Sequence, residues 1–166
     1  MADLRRALRH LFAGSARSLF PASALETIAG AIAAGEATHD GQVCFAVESA
    51  LPVAAVLAGK EARQRAEDAF AQLRVWDTAA NNGVLVYLLL ADHRIEIVAD
   101  RGVAARVDTA QWREVCARME RGLREGDAAN AAIEAVTAVS ALLAAHFPGG
   151  GGERRNELPD MPRILG

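Results

Sequence analysis

Asp77 and Asp100 each stand where a polar segment meets an apolar run. Asp77 lies in WDTAANNG ahead of VLVYLLL, and Asp100 ends RIEIVAD and is followed at once by Arg101. Carboxylate oxygens suit hard divalent cations such as calcium or magnesium. With Glu36 as a third ligand, such an ion would polarise a phosphoryl oxygen, and Arg101 would neutralise the phosphate. Any hydrolase built on these residues would have to be metal-assisted in this way. Asp77, Asp100 and Arg101 are therefore the catalytic candidates, and Asp77, Asp100 and Glu36 the metal candidates. Thr78, Asn81, Asn82 and His39 make up a candidate binding loop. A structural reading competes with each: the aspartates close loop amides or pair with Arg101. Asn81 and Asn82 suit a left-handed turn before Gly83, and Glu36 and His39 sit at a helix end that commonly carries exposed charge.

Other chemistries find little support. The chain has no G-x-S-x-G elbow, no P-loop and no G-x-G-x-x-G opening a helix after a strand. His10, His39, His93 and His146 are scattered without a second His or Cys at zinc spacing. Cys44 falls mid-strand among apolar neighbours, where a thiol is inert, and Cys116 falls in a helix. Trp76 and Trp112 are expected as core anchors.

The elements that must position these residues follow from periodicity. Leu4, Ala7, Leu8, Leu11 and Phe12 share one face of a basic amphipathic helix in residues 1–20, expected to dock on its own domain, with peripheral membrane contact as the alternative. Ser23 and Glu26 have capping-box spacing for a helix ending near Gly35. VCFAVES reads as a strand covered on both sides. KEARQRAEDAFAQL reads as a helix with Glu61 and Arg65 able to pair, and VLVYLLL as a second strand parallel to the first through a crossover. A tight reversal at Asp92, His93 and Arg94 leads into RIEIVAD, an antiparallel strand nearer an edge. Asp108 with Gln111 caps a helix bearing Trp112, Val115 and Met119, and Asp127 opens a last helix that runs to His146. This order brings the starts of the first two strands and the end of the third to one edge, which collects Glu36, His39 and Asp40 with Asp77, Asn82 and Asp100.

At 166 residues, 52% hydrophobic, the chain suits one globular domain over 21–148. A net charge of -3 with pI near 5.8 gives no basic face for nucleic acid. No leader core is evident, no run approaches a bilayer-spanning length, and a cytoplasmic location is expected. Residues 149–166 read as a glycine-rich flexible joint, GGGG, and a tail whose Leu158, Met161, Ile164 and Leu165 dock on the domain or stay disordered.

WDTAANNGVLVYLLLADHRIEIVADRG, with Trp112 beyond it and HFP at His146 to Pro148, resembles the TPM-domain family. That family includes thylakoid-lumen proteins linked to photosystem repair and many bacterial proteins. The likeness spans roughly Ser23 to Pro148 and is most specific at Asn81 to Leu85 and Ile95 to Gly102. It implies a three-layer α/β/α sandwich around a small mixed sheet with one parallel crossover and one hairpin, divalent-metal binding, and in some members a weak acid phosphatase activity. The leading expectation is a TPM-type binding or accessory domain with a calcium or magnesium site, supporting the maintenance or assembly of membrane-associated proteins with a protein partner, and the alternative is a metal-dependent acid phosphatase of low activity. The chain departs from typical relatives in lacking a recognisable secretion signal and in carrying Arg101 and a VAAR run where a glycine-rich stretch often stands.

Overall fold

The computed structural model describes residues 2–150 and 155–166. Val43, Phe45 and Val47 point to one side of β1 (Gln42–Glu48) while Cys44 and Ala46 point to the other, and every residue of the strand is buried. The same holds for β2 (Gly83–Leu89), which pairs with β1 in parallel from Gln42 opposite Gly83 to Glu48 opposite Leu89. Two strands buried on both faces need helices above and below. On the face of Val43 and Phe45 lie α3 (Ala22–Glu36), α7 (Thr109–Arg124) and α8 (Ala128–His146), which supply Ile28, Ile32, Met119 and Val139 to the larger core. On the other face lie α1 (Ala2–Leu11), α4 (Val53–Leu57) and α5 (Ala62–Gln72), where Val56, Ala66 and Ala69 pack against Leu85 and Tyr87. Two short helices, α2 (Ala16–Leu19) and α6 (Arg101–Ala104), complete the set.

The crossover through α4 and α5 and the antiparallel return in β3 (Arg94–Ala99) match the expected three-layer α/β/α fold. A 3-10 turn over Leu90–Asp92 and a left-handed His93 join β2 to β3, so the reversal begins earlier than the residues alone imply. The tail supplies a fourth strand, β4 (Arg163–Leu165), parallel to β1 and giving the order β3-β2-β1-β4. Self-docking of the tail is thus realised. Gln42 anchors its approach, its Oε1 accepting from Glu157 N at 2.9 Å and Leu158 N at 3.1 Å. The joint expected at Gly149 to Gly152 falls partly outside the described residues.

Several expectations need correction. Ser23 does not cap α3; Pro21, held extended behind the buried Phe20, is the N-cap, two residues earlier. Arg65 does not pair with Glu61. It turns inward to Glu48, Nε to Oε2 at 2.8 Å, and the Tyr87 hydroxyl donates to the same carboxylate at 2.6 Å. Glu61 instead forms the capping box of α5 with Gln64. Contrary to the reading that no run approaches bilayer length, α8 is long and apolar enough to cross a membrane by length and composition. In the fold it serves as a core helix, with Ala132, Val136, Val139 and Leu143 fully buried.

Helix α1 docks through an unexpected face. Arg6 donates to both oxygens of Asp92, with Nη2 to Oδ2 at 2.7 Å, and Ala7 is buried. His10 Nδ1 accepts from Leu51 N at 2.9 Å while Nε2 lies 3.0 Å from Asp92 Oδ1. Leu4, Leu8, Leu11 and Phe12, which were expected to face the domain, are exposed.

Although burial alone would raise the Asp92 carboxyl, Arg6 and His10 hold it below its ordinary value of 3.8. A depressed carboxyl stabilises the fold above its unfolded pKa, and that contribution is lost as pH falls through the folded value. Asp92→Asn is expected to cost about 3 kcal/mol at neutral pH by removing the buried carboxylate that Arg6 and His10 face, a loss measurable by urea unfolding that narrows in acid. Gln42→Ala is expected to cost about 1.5 kcal/mol by removing the acceptor for a buried amide, with faster hydrogen exchange at Ile164.

Candidate functional site

Parallel pairing sets the ends of β1 and β2 side by side, and the polar loops that enter them follow. Gln42 N donates to Asn82 O at 3.1 Å, Asp100 N to Gly83 O at 2.9 Å, and Gly102 N to Asn81 O at 3.0 Å. The expected convergence at this edge is therefore present in the backbone. Its tightness explains two glycines: a Cβ on Gly83 would stand 2.0 Å from Val75 O, and one on Gly102 2.5 Å from Asn81 O. Asn81 takes the left-handed conformation at φ 51°, the turn role its type suggested.

An open cleft of about 680 Å³ lies at this edge, between the C-terminus of α3, the start of β1 and the incoming tail. Glu36, Asp40, Glu157 and Asp160 line it, against Arg155 as the cation among the described lining residues. His39 and Asn82 form its buried wall, and His39 is held in a β-bridge to Pro148. Asn82 donates through Nδ2 to Asp40 O, and its N–H donates to Thr78 Oγ1 at 3.1 Å. Its Oδ1 is buried with no hydrogen-bond partner among the described residues. Such an oxygen is costly to bury and stands ready for a donor or a cation.

Glu36 Oε1 accepts from Val43 N at 2.7 Å. Burial pushes its carboxyl up from 4.5 to about 7, against that amide, and the nearby Asp160 carboxylate adds to the rise. Glu36 therefore titrates near neutrality. Glu157 Oε2 accepts from Ala79 N at 2.9 Å, which ties the tail to the loop before β2, and within the tail Asn156 Nδ2 donates to Asp160 Oδ1 at 2.9 Å.

The sequence-derived candidates divide into two groups. Glu36, His39 and Asn82 meet in the cleft, and Thr78 braces Asn82 from behind. Asp77 does not line it; half-exposed, it pairs with Arg74 at 2.6 Å. Asp100 caps α6, with Oδ1 accepting from Arg101 N at 2.8 Å, and its Oδ2 is buried without a hydrogen-bond partner among the described residues. Arg101 is exposed and does not line the cleft. Among the described residues no three His, Cys, Asp or Glu side chains form a metal-ligating group, so Asp77, Asp100 and Glu36 do not constitute one. Gln42, Glu157 and Asp160 went unrecognised, because a tail strand returning to β1 leaves little local pattern. Trp76 is 48% exposed rather than a core anchor, with Arg74 5.8 Å from its ring, whereas Trp112 is buried. Cys44 is buried mid-strand as expected, and burial pushes its thiol up to about 11.

Residues 16–142 match the family model of the TPM domain. Among solved structures, the BA42 protein of the psychrophilic bacterium Bizionia argentinensis aligns with a TM-score of 0.77 at 22% identity, covering 88% of this chain and 95% of that one. The N-terminal domain of a P. gingivalis protein aligns with a TM-score of 0.64 at 19% identity, covering 80% of this chain and 81% of that one. At these identities both show a shared fold and nothing further. No curated protein matches the chain. With the family match running through most of the sequence, from α2 to α8, the chain belongs to the TPM-domain family.

Proposed function

We propose that this TPM domain is a binding domain whose acidic cleft takes a hard divalent cation, calcium in preference to magnesium. The observation that carries the reading is the buried, unpartnered Asn82 Oδ1 in a cleft lined by four carboxylates. Carboxylate and carboxamide oxygens are the donors such ions prefer. Glu36, Asp160 and Asn82 would hold the ion. Glu36, Asp160 and Asn82 supply only part of a coordination shell and water would complete it, which suits the adaptable coordination of calcium better than the octahedron magnesium demands. A bound ion would supply positive charge for an anionic group on a partner. Trp76, half-exposed on the loop whose Ala80 reaches the cleft rim, offers that partner an apolar contact.

Calorimetry with calcium is expected to give a Kd of roughly 10⁻⁴ to 10⁻³ M, weakened about tenfold or more in Asp160→Asn. Asp77→Asn should bind as the wild type does. Since the ion competes with a proton on Glu36, affinity should rise between about pH 6 and about pH 8, and Glu36→Gln should abolish that rise. Absence of binding heat, or indifference to both cleft substitutions, would overturn the reading. Metal-dependent phosphomonoester turnover would favour hydrolysis instead.

Stability gives a further check without metal. A carboxyl raised from 4.5 to about 7 in the fold contributes fully below 4.5, and that contribution is lost as pH rises through 7. Glu36→Gln, which keeps the acceptor for Val43 N, is expected to equal the wild type below 4.5. Above pH 7 it should exceed the wild type by about 1–2 kcal/mol, allowing for solvent screening.

A further inference from the structure

Helix α1 is docked with its polar side inward. Arg6, Ala7 and His10 face the domain, leaving Leu4 and Leu11 61% exposed and Phe12 78% exposed. At helical spacing Leu4, Leu8, Leu11 and Phe12 form a single outward stripe, with Arg5 and Arg9 along one border. Phe12 N donates to Leu8 O at 3.0 Å, so Phe12 continues the last turn. The stripe opens on an apolar groove of about 630 Å³ that extends over Leu19 and Leu123. Arg5, Arg9 and His93 also line this groove, and no carboxylate does so among the described residues.

We infer that this face docks on an anionic lipid surface. Leu8, Leu11 and Phe12 enter the boundary between headgroups and acyl chains, and Arg5 meets the lipid phosphates together with the solvent-facing side of Arg9, whose guanidinium also lies 3.5 Å from Asp92 Oδ1. Charge favours lipid over a second copy of the chain. A two-fold contact through this stripe would bring its arginines toward those of the other copy. A net charge of -3 over the chain, with a groove that is basic and apolar, also fixes which side approaches such a surface. The Arg6 to Asp92 pair makes the helix a rigid platform, so little ordering accompanies docking. The face is separate from the acidic cleft, so the two readings stand or fall independently.

The test is co-sedimentation of the full chain, without added calcium, with vesicles of phosphatidylcholine alone and with about a third phosphatidylglycerol. Partition is expected only into the anionic vesicles, falling with salt. Phe12→Asp and Arg5→Glu, both at exposed positions, are each expected to lower it about tenfold, with circular dichroism unchanged. Three results would overturn the inference: no partition into either vesicle, equal partition into both, or full retention by both variants. A concentration-dependent dimer in light scattering, dispersed by Phe12→Asp, would assign the face to a second copy instead.

Discussion

The in-register parallel pairing of β1 and β2 is the constraint on which the molecule turns. Both strands are buried throughout, so neither face of the sheet can be left to water. A parallel pair also requires the chain to travel back along the sheet, here through α4 and α5, before the second strand begins. The loops entering both strands are thereby delivered to one edge. An antiparallel pairing of the same strands would have sent Glu36 and Asn82 to opposite ends, with no acidic cleft between them.

Much of the fold was legible because it is written locally. Alternating apolar residues in VCFAVE, an unbroken VLVYLLL and the pair Asp108 with Gln111 each specify an element within a few positions, and each is realised. The shared edge followed from topology and required no knowledge of side-chain geometry. At the site itself legibility fell off. Glu36, His39 and Asn82 were found from the helix end and loops that lead into β1 and β2, but Asp160 and Glu157 lie far along the chain, on the segment that leads into β4 beside β1. Asp77 and Asp100 looked equivalent as carboxylates before a turn. What separates them in the fold is the immediate neighbour each has found, Arg74 for Asp77 and the first amide of α6 for one oxygen of Asp100, and neither lines the cleft.

Errors of orientation arose where hydrophobicity alone had to choose a side. Helix α1 has a clear apolar stripe, and the ordinary rule turns such a stripe inward. Here the buried Asp92 selects Arg6 and His10, and the stripe is left outside. Arg65 behaves similarly: its helical neighbour Glu61 is exposed, while Glu48 is nearly inaccessible and would carry an unpaired charge without it. In both cases a buried carboxylate from a distant segment outweighed the local pattern.

Strand β4 contributes only three residue pairs, so its hold on the edge of β1 is the slightest of the sheet's pairings. Yet the segment leading into it carries Asp160, while α3 carries Glu36 on the opposite wall of the same cleft. Whatever bridges those two carboxylates also fastens the edge of the sheet, and by thermodynamic reciprocity a fastened edge tightens the grip on the ligand by the same factor. Without the tail, β1 would offer unpaired backbone groups to any extended chain nearby. On the proposed reading, occupancy of the cleft and protection against edge-to-edge association would be one equilibrium seen from two sides.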